Sequence, residues 1–295
     1  MIDSAGTTVD DRPVVVGVDG SESARDAAAW AADLAAIWGA PLHLLTVGAG
    51  PGDGRIAELR DAAERDGAHP VLVETVVGEV VDVLADQARA ARMLVLGSYG
   101  DGAWSGMIAG EVAITMLDRV SCPVAVVRGT TRQIPPPRGG PVVVGVDGST
   151  AGRAALALAA DLAASLGARL LAVHAWSDIA YGVDGAAHRR PEDGSVLAGR
   201  ASDLLDAELA GPARDHPSLV VNRSVVADTP LRALLAAASG ARMVVVGHRG
   251  TGTGGRLGST SRALVEFVPC PVVVAGHGND VATDRPAVAT TGFSS

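Results

Sequence analysis

Residues 247–260 have the residue types and the spacing of a phosphate-binding loop, because glycines alternate with Ser, Thr and Arg. The loop follows the apolar run at residues 244–246 and leads into a Ser/Thr-rich stretch that predicts the start of a helix. Loop glycines let backbone N–H groups approach a phosphate, and the dipole of the following helix favours its charge. An imperfect second copy occupies residues 94–111. The chain therefore carries two related candidates for one kind of anion site.

The elements that must position these loops also occur twice. The buried strand and turn at residues 13–21 are repeated almost letter for letter at residues 141–149. In each copy, short apolar strands alternate with helices, and strands that are apolar on both faces are typical of a parallel sheet covered by helices. We therefore expect an α/β fold with two tandem doubly wound domains, each built on a five-stranded, mainly parallel sheet.

The repeat also predicts the domain boundaries. The offset between the copies grows from 128 to 150, so the second copy has about 22 extra residues (150 − 128), which we place within residues 177–199. Near the end of the second glycine loop the offset falls to 148, so that loop is two residues shorter. The expected organisation is a disordered leader at 1–12, a first domain at 13–128, a linker at 129–140, a second domain at 141–275 and a disordered tail at 276–295.

Composition argues against several classes of function. The formal net charge of −9 argues against general binding to nucleic acid. All 24 basic residues are arginines, so neither a Walker P-loop lysine nor Schiff-base chemistry on lysine is available. No apolar run reaches the roughly 20 residues of a membrane helix, and residues 1–13 lack the pattern of a secretory signal. We therefore expect a cytoplasmic protein that binds neither nucleic acid nor membranes.

The cysteines and two histidines are expected to be structural. Cys122 and Cys270 each precede a Pro-Val pair at equivalent places in the two copies. We interpret both as small buried hydrophobic residues, because partners for a disulfide or a metal site are missing from the pattern. His43 and His174 lie in or beside apolar strands and are expected in the core.

Two features together resemble one protein family. They are the strand end Val-Gly-Val-Asp-Gly-Ser, and the spacing Gly-x2-Gly-x9-Gly-Ser/Thr before a helix and a Cys-Pro-Val strand. Over residues 13–128 and 141–275 the chain resembles a tandem universal stress protein of the ATP-binding branch. The resemblance implies a Rossmann-like fold of the adenine nucleotide alpha hydrolase type. It also implies ATP, alone or with Mg²⁺, bound across the carboxyl ends of the strands, in a stress-response protein.

Carried over residue by residue, the resemblance implies a nucleotide site in each half of the chain. The strand-end aspartates would lie near the nucleoside, where a carboxylate can accept hydrogen bonds from ribose hydroxyls. The alternative is that the Asp-Gly-Ser segments are turns and helix caps, with Ser21 and Ser149 as N-caps. The implied binding residues are Gly145, Asp147, Gly247, His248, Arg249, Gly250, Gly258, Ser259 and Thr260 in the second half, and Gly17, Asp19, Gly97, Gly100 and Gly110 in the first.

The two loops depart from the family pattern in different ways. The first keeps the spacing, but Glu111 stands where the family has a hydroxyl, and Asp101 adds a second negative charge. A carboxylate repels phosphate, although near a helix N-terminus it is itself stabilising and could occupy the anion site internally. The second loop keeps its hydroxyls but is shorter. We expect nucleotide chiefly in the second half, with His248 hydrogen-bonded locally rather than acting as a base.

The sequence favours a binding or regulatory module over an enzyme. It has no HExxH motif, no Gly-x-Ser-x-Gly elbow and no paired Cys-His set, although slow ATP hydrolysis stays open. The last strands, at residues 124–127 and 272–274, are apolar edges that invite pairing. The resemblance implies that they form an intramolecular pseudo-dimer, and further assembly into a homodimer fits the same pattern. Two alternatives remain: a nucleotide-free interaction or scaffold protein of the same fold, and an adenylating enzyme, which the missing lysine disfavours.

Overall fold

Each half of the chain folds around a sheet of five parallel strands. The computed structural model describes residues 10–48, 53–99, 110–128, 134–177, 179–181, 187–189, 193–250 and 257–276. The first half contains β1 (Val14–Gly17), α1 (Glu22–Trp38), β2 (Leu42–Val47), α2 (Asp53–Arg65), β3 (Val71–Val76), α3 (Val80–Ala88), β4 (Met93–Gly97), α4 (Glu111–Arg119) and β5 (Val124–Val127). The second half contains β6 (Val142–Gly145), α5 (Thr150–Ser165), β7 (Leu170–Trp176), β8 (Ile179–Tyr181), β9 (Ala187–Arg189), α6 (Gly194–Asp215), β10 (Val221–Ala227), α7 (Pro230–Ala237), β11 (Met243–Gly247), α8 (Ser259–Phe267) and β12 (Val272–Ala275).

Ten of the twelve described strands form one continuous sheet. Its order is β10-β7-β6-β11-β12-β5-β4-β1-β2-β3, so within each half the strands run third, second, first, fourth, fifth. Neighbours within a half are parallel, and β12 pairs antiparallel with β5, with Val273 opposite Ala125. The prediction of two doubly wound α/β domains with five-stranded parallel sheets is therefore confirmed.

Helices cover both faces of the sheet. One apolar layer collects buried side chains of α1, α2, α5 and α6, and the other those of α3, α4, α7 and α8. The inner strands are buried on both faces, as expected for parallel strands between helices. The outer strand β3 differs, because Leu72 and Val73 are 51% and 40% exposed. The open edges of the sheet are thus β3 and β10.

The extra segment of the second half contains an element that its sequence pattern did not predict. β8 and β9 pair as a small antiparallel sheet within residues 177–199. The following helix α6 has 22 residues, against 13 in the corresponding α2. Residues 1–9 of the predicted leader, residues 129–133 of the predicted linker and the tail from 277 lie outside the described residues.

Local capping and the thiols agree with the sequence predictions. Ser21 accepts a hydrogen bond from the backbone N–H of Ala24 at 3.0 Å, and Ser149 does the same for Gly152 at 2.9 Å, so both serines are N-caps. Cys122 and Cys270 are free and buried. Burial raises the pKa of Cys122 to about 11 and that of Cys270 to about 12, so both stay protonated near neutrality. No helix in the described ranges combines the length and apolarity needed to cross a bilayer.

Candidate functional site

The predicted site residues of the second half meet at the carboxyl ends of β6 and β11. These neighbouring strands are the first and fourth of their half, and the chain leaves them in opposite directions along the sheet. Ligands of open α/β sheets bind in the crevice at such a switch point. The turn after β6 supplies Asp147, and the segment after β11 supplies Arg249 and Gly250. The topology therefore brings together residues that are about 100 positions apart in sequence.

A cleft of about 740 Å³ opens at this point, within the usual size range of small-molecule sites. Apolar side chains of Val146, Val173, Pro230 and Leu234 line part of it. Eight of the nine residues predicted for the second half also line it, namely Gly145, Asp147, Gly247, Arg249, Gly250, Gly258, Ser259 and Thr260. The cleft thus combines an apolar section with a polar section that carries hydroxyls, a guanidinium and a carboxylate.

Asp147 is held in the cleft by the start of α5. Its Oδ1 accepts hydrogen bonds from the backbone N–H of Ser149 at 3.0 Å and from the Ser149 hydroxyl at 2.6 Å. Its Oδ2 faces the glycine loop, because a Cβ atom added to Gly250 would lie 2.7 Å from it. Asp147 therefore forms the Asp-Gly-Ser turn that was the alternative to a binding role. Its second carboxylate oxygen, Oδ2, is at the same time directed across the cleft.

Gly152 makes room for this carboxylate, and sequence reasoning missed it. A Cβ atom at residue 152 would overlap the Asp147 Oδ1 atom. The equivalent residue of the first half, at the offset of 128, is Ala24, which has that Cβ. Asp19 there is exposed, and its Oδ1 accepts from the backbone N–H of Ser21 at 2.9 Å. A comparison of the two repeats would have found it, because Gly152 in the second half stands where the first half has Ala24.

Four of the predicted glycines have a packing reason for lacking a side chain. A Cβ atom on Gly97 or Gly247 would lie 2.8 Å from a backbone atom of the first or fifth helix. A Cβ on Gly17 would lie 2.8 Å from Leu96, and one on Gly145 would lie 3.1 Å from Leu234. These glycines let helices and side chains approach the strand ends closely. Their contact with a ligand stays a prediction.

The same hydrogen bond closes the glycine loop in both halves, although the loops differ in length. The N–H of Gly110 donates to the Ser98 carbonyl at 2.7 Å, and that of Gly258 donates to the His248 carbonyl at 2.9 Å. Gly100 and Asp101 lie outside the described residues. Glu111 is exposed in the first turn of α4. α8 begins at the equivalent place with hydroxyl residues, and its Ser261 hydroxyl donates to the Gly247 carbonyl at 2.7 Å.

Of the three histidines singled out by the sequence pattern, His248 and His43 are buried and His174 lines the cleft. His248 is 3% exposed and stands behind the lining, with its Nδ1 accepting from Arg249 Nε at 3.2 Å. His43 is buried, with Nε2 3.0 Å from Glu74 Oε2, as its strand position predicts. His174 is only half-buried and lines the cleft, with Nδ1 2.7 Å from the Val146 carbonyl. Since a carbonyl can only accept, Nδ1 carries a proton, and Nε2 of the neutral ring is an acceptor.

The family of the chain follows from comparison with known proteins. The model of the universal stress protein family matches residues 12–128 and again residues 140–276. The chain belongs to the universal stress protein family. The two matches also show a tandem arrangement, as the internal repeat predicts.

Relatives among the universal stress proteins cover both halves. One from Mycobacterium tuberculosis strain H37Rv is 35% identical over 288 residues, which span 89% of this chain and 96% of the relative. A second from the same strain is 32% identical over 292 residues, spanning 89% and 95%. The crystal structure of a universal stress protein from Archaeoglobus fulgidus DSM 4304 has a TM-score of 0.64 at 20% identity, covering 91% of this chain and 99% of that one. It shares the fold.

Proposed function

We propose that this universal stress protein binds adenine nucleotide in the cleft of its second half and acts as a stress-response regulator through binding rather than catalysis. The observation that carries the proposal is the cleft itself, which gathers eight predicted residues in about 740 Å³. The resemblance of its loop to the ATP-binding branch of the family names the nucleotide. ATP, alone or with Mg²⁺, is therefore the ligand to test first.

The polar section of the cleft suits a nucleotide's sugar and phosphates. Asp147 Oδ2 faces the cleft and can accept a hydrogen bond from a ribose hydroxyl. Gly258 is the N-cap of α8 and has no side chain, so the first N–H groups of the helix can donate to a phosphate. Thr260 and Arg249 add a hydroxyl and a guanidinium, and a guanidinium forms strong charge-assisted hydrogen bonds to phosphate. The apolar section lies beside these groups and suits a base.

The first half has a less suitable set of groups. Ala24 stands where the second half has Gly152, and Asp19 is exposed, whereas Asp147 is half-buried. Glu111 adds a negative charge at the helix N-terminus where α8 has Ser259. A second carboxylate at the phosphate position opposes a phosphate by like-charge repulsion. We therefore place the nucleotide in the second half, with weak binding or none in the first.

Matched aspartate variants test this assignment. Calorimetric titration with ATP, with and without Mg²⁺, should give one site per chain. Asp147→Ala should lower the affinity roughly 10- to 100-fold, because it removes a charged acceptor from the cleft. Asp19→Ala makes the same change in the first half and should leave the affinity within about twofold of the wild-type value, well inside the spread of distant surface changes.

The same preparation tests a second candidate, a nucleotide-free interaction protein. The exposed apolar side chains of Leu72 and Val73 on the open edge β3 favour a protein partner, because such edges pair with other strands. A purified chain with the ultraviolet absorbance ratio of free protein, no nucleotide released on heating and no heat with ATP would contradict nucleotide binding and leave this candidate standing.

A further inference from the structure

The glycine loop of the second half is contacted by a carboxylate of the first half. Asp118 lies near the end of α4, and its Oδ1 accepts a hydrogen bond from the backbone N–H of Leu257 at 2.6 Å. The same oxygen lies 3.3 Å from Nε2 of the buried His248. Asp118 keeps 29% of its side chain exposed, whereas His248 keeps 3%. One carboxylate oxygen therefore contacts two residues that belong to the other half.

These two contacts fall at opposite ends of the loop. His248 follows β11 directly, and Leu257 precedes Gly258, the N-cap of α8. The N–H of Gly258 donates to the His248 carbonyl at 2.9 Å, so the two ends are also bonded to each other. The contacts of Asp118 thus fix the position of the loop ends relative to α4. A charge-assisted hydrogen bond of this kind is stronger than one between neutral groups.

The contact continues from His248 to the cleft. Arg249 Nε donates to His248 Nδ1 at 3.2 Å, so Nδ1 is the unprotonated nitrogen and the ring proton lies on Nε2, which is 3.3 Å from Asp118 Oδ1 in an ion-pair contact without hydrogen-bond geometry. A neighbouring carboxylate attracts the ring N–H that faces it. Arg249 itself lines the cleft. Three residues therefore connect α4 of the first half with a cation at the proposed phosphate position.

The first half also holds the far end of α8. Arg128, which follows β5, donates from Nη1 to the Glu266 carbonyl at 2.8 Å. That carbonyl belongs to the last turn of α8, where backbone oxygens lack partners within the helix and a cation is favoured. α8 is thus contacted by the first half at both of its ends. The first half therefore contacts both the residue before the N-cap of α8 and the last turn of that helix.

We propose that Asp118 is a positioning residue for the anion-binding loop of the second half, so that the first half sets the nucleotide affinity of the second. The affinity part rests on the proposed function, whereas the anchoring of the loop is independent of any ligand. The pseudo-symmetric residue, at the offset of 148, is Glu266. Its carboxylate lies 3.2 Å from Arg262 of its own helix, which makes Glu266→Gln a matched control.

The test compares Asp118→Ala, Asp118→Asn and Glu266→Gln in the full chain. Without nucleotide, amide hydrogen exchange of Leu257 and Gly258 and the ring ¹⁵N shifts of His248 report the anchoring. Asp118→Ala should speed exchange at Leu257 and shift the ¹⁵N resonance of His248 Nε2, the ring nitrogen that lies 3.3 Å from the removed carboxylate. It should also weaken ATP binding roughly 10- to 100-fold, the usual effect of losing a charged hydrogen-bond partner. Asp118→Asn keeps a side-chain oxygen that can accept from the Leu257 N–H, so its exchange rate and ATP affinity should lie between those of the wild type and of Asp118→Ala. It replaces the alanine variant if that variant fails to fold.

The outcomes separate the two proposals. Faster Leu257 exchange together with weaker ATP binding, neither seen in Glu266→Gln, supports the positioning role. Exchange and affinity in both Asp118 variants equal to those of Glu266→Gln would overturn it. If the wild-type chain binds no ATP and Asp118→Ala still speeds Leu257 exchange, the anchoring is supported and nucleotide binding is what fails.

Discussion

At the scale of single residues, the two halves differ by one methyl group next to the strand-end aspartate. Gly152 leaves the space that the Asp147 carboxylate occupies, and Ala24 fills the equivalent space in the first half. Asp147 then lies between the start of α5 and Gly250, whereas Asp19 is exposed. The two aspartates share the flanking sequence Val-Gly-Val-Asp-Gly-Ser and differ in exposure. The residue five positions along the chain, which has no side chain in the second half, is the one that lies against the Asp147 carboxylate.

Exchanging these two residues tests the role of that space. Gly152→Ala should displace the Asp147 carboxylate and weaken ATP binding, while the free energy of unfolding changes by less than about 1 kcal/mol, because alanine is the better helix former. The reciprocal Ala24→Gly should cost roughly 0.5–1 kcal/mol of stability and leave ATP affinity unchanged. Calorimetry and urea unfolding measure both quantities. A Gly152→Ala chain with wild-type affinity would contradict the role of Gly152.

At the scale of elements, the segment from β11 to α8 combines packing glycines with cleft glycines. Gly247 is close to the backbone of Ala151 in α5, whereas among the described residues a Cβ on Gly250 would meet the Asp147 carboxylate alone within 4 Å. A Cβ on Gly258 would make ordinary contacts of 3.5 Å or longer, and its φ of −61° suits any residue. The same residue type therefore serves helix packing at one position and access to the cleft at another.

Alanine substitutions should separate these two roles. Gly247→Ala should destabilise the fold by about 1–3 kcal/mol, the usual cost of overpacking against backbone. Gly250→Ala should leave stability nearly unchanged and weaken ATP binding by pushing on Asp147. Gly258→Ala, at a position with room for a methyl group, serves as the folding control. Thermal unfolding and ATP titration measure the variants, and a stable Gly247→Ala chain would contradict the packing argument.

At the scale of the whole molecule, contacts related by the internal repeat join the halves. The antiparallel pairing of β5 with β12 makes one sheet of ten strands. The charge of Arg242 acts to lower the pKa of Asp33, and the charge of Asp161 acts to raise the pKa of Arg92, and the internal repeat relates these two pairs. Burial nevertheless raises the pKa of Asp33 and lowers the pKa of Arg92, because desolvation opposes the charged forms.

The buried thiols should make global stability fall at alkaline pH. A cysteine has a pKa near 9.0 when unfolded and about 11 or 12 at Cys122 and Cys270, so the folded state holds these protons more tightly. Their contribution to stability is complete below pH 9 and is lost as pH rises through the folded pKa values. Each thiol should contribute a slope of at most about 1.4 kcal/mol per pH unit above pH 9.

Few other groups should obscure this slope, because the chain has no lysine and only two tyrosines. Urea unfolding between pH 8 and about 10.5 measures it, within the range where free thiolates form and buried thiols do not. The double variant with Cys122→Ala and Cys270→Ala should lose the slope, whatever its stability at neutral pH. A double variant with the wild-type slope would assign the alkaline loss to other groups.

The sequence by itself determined the α/β class, the two repeats, the doubly wound five-stranded sheets and the residues at the strand ends. Apolar runs, N-cap serines and strand-end glycines are local signals, and the internal repeat shows them twice. Of the nine residues that these signals predicted for the second half, eight line one cleft. The binding role of these residues and the difference between the two halves remain predictions, which the variants at Asp147, Asp19, Gly152 and Ala24 test.

Only the tertiary structure decided which groups face the cleft and which support it. His248 was among the predicted binding residues, yet it is buried behind Arg249. His174 was expected in the core, yet it lines the cleft. The contact of Asp118 with Leu257 joins residues 139 positions apart and depends on how the halves meet through β5 and β12. A linear pattern records spacing along the chain, whereas these contacts arise where the folded halves bring distant side chains within hydrogen-bond range.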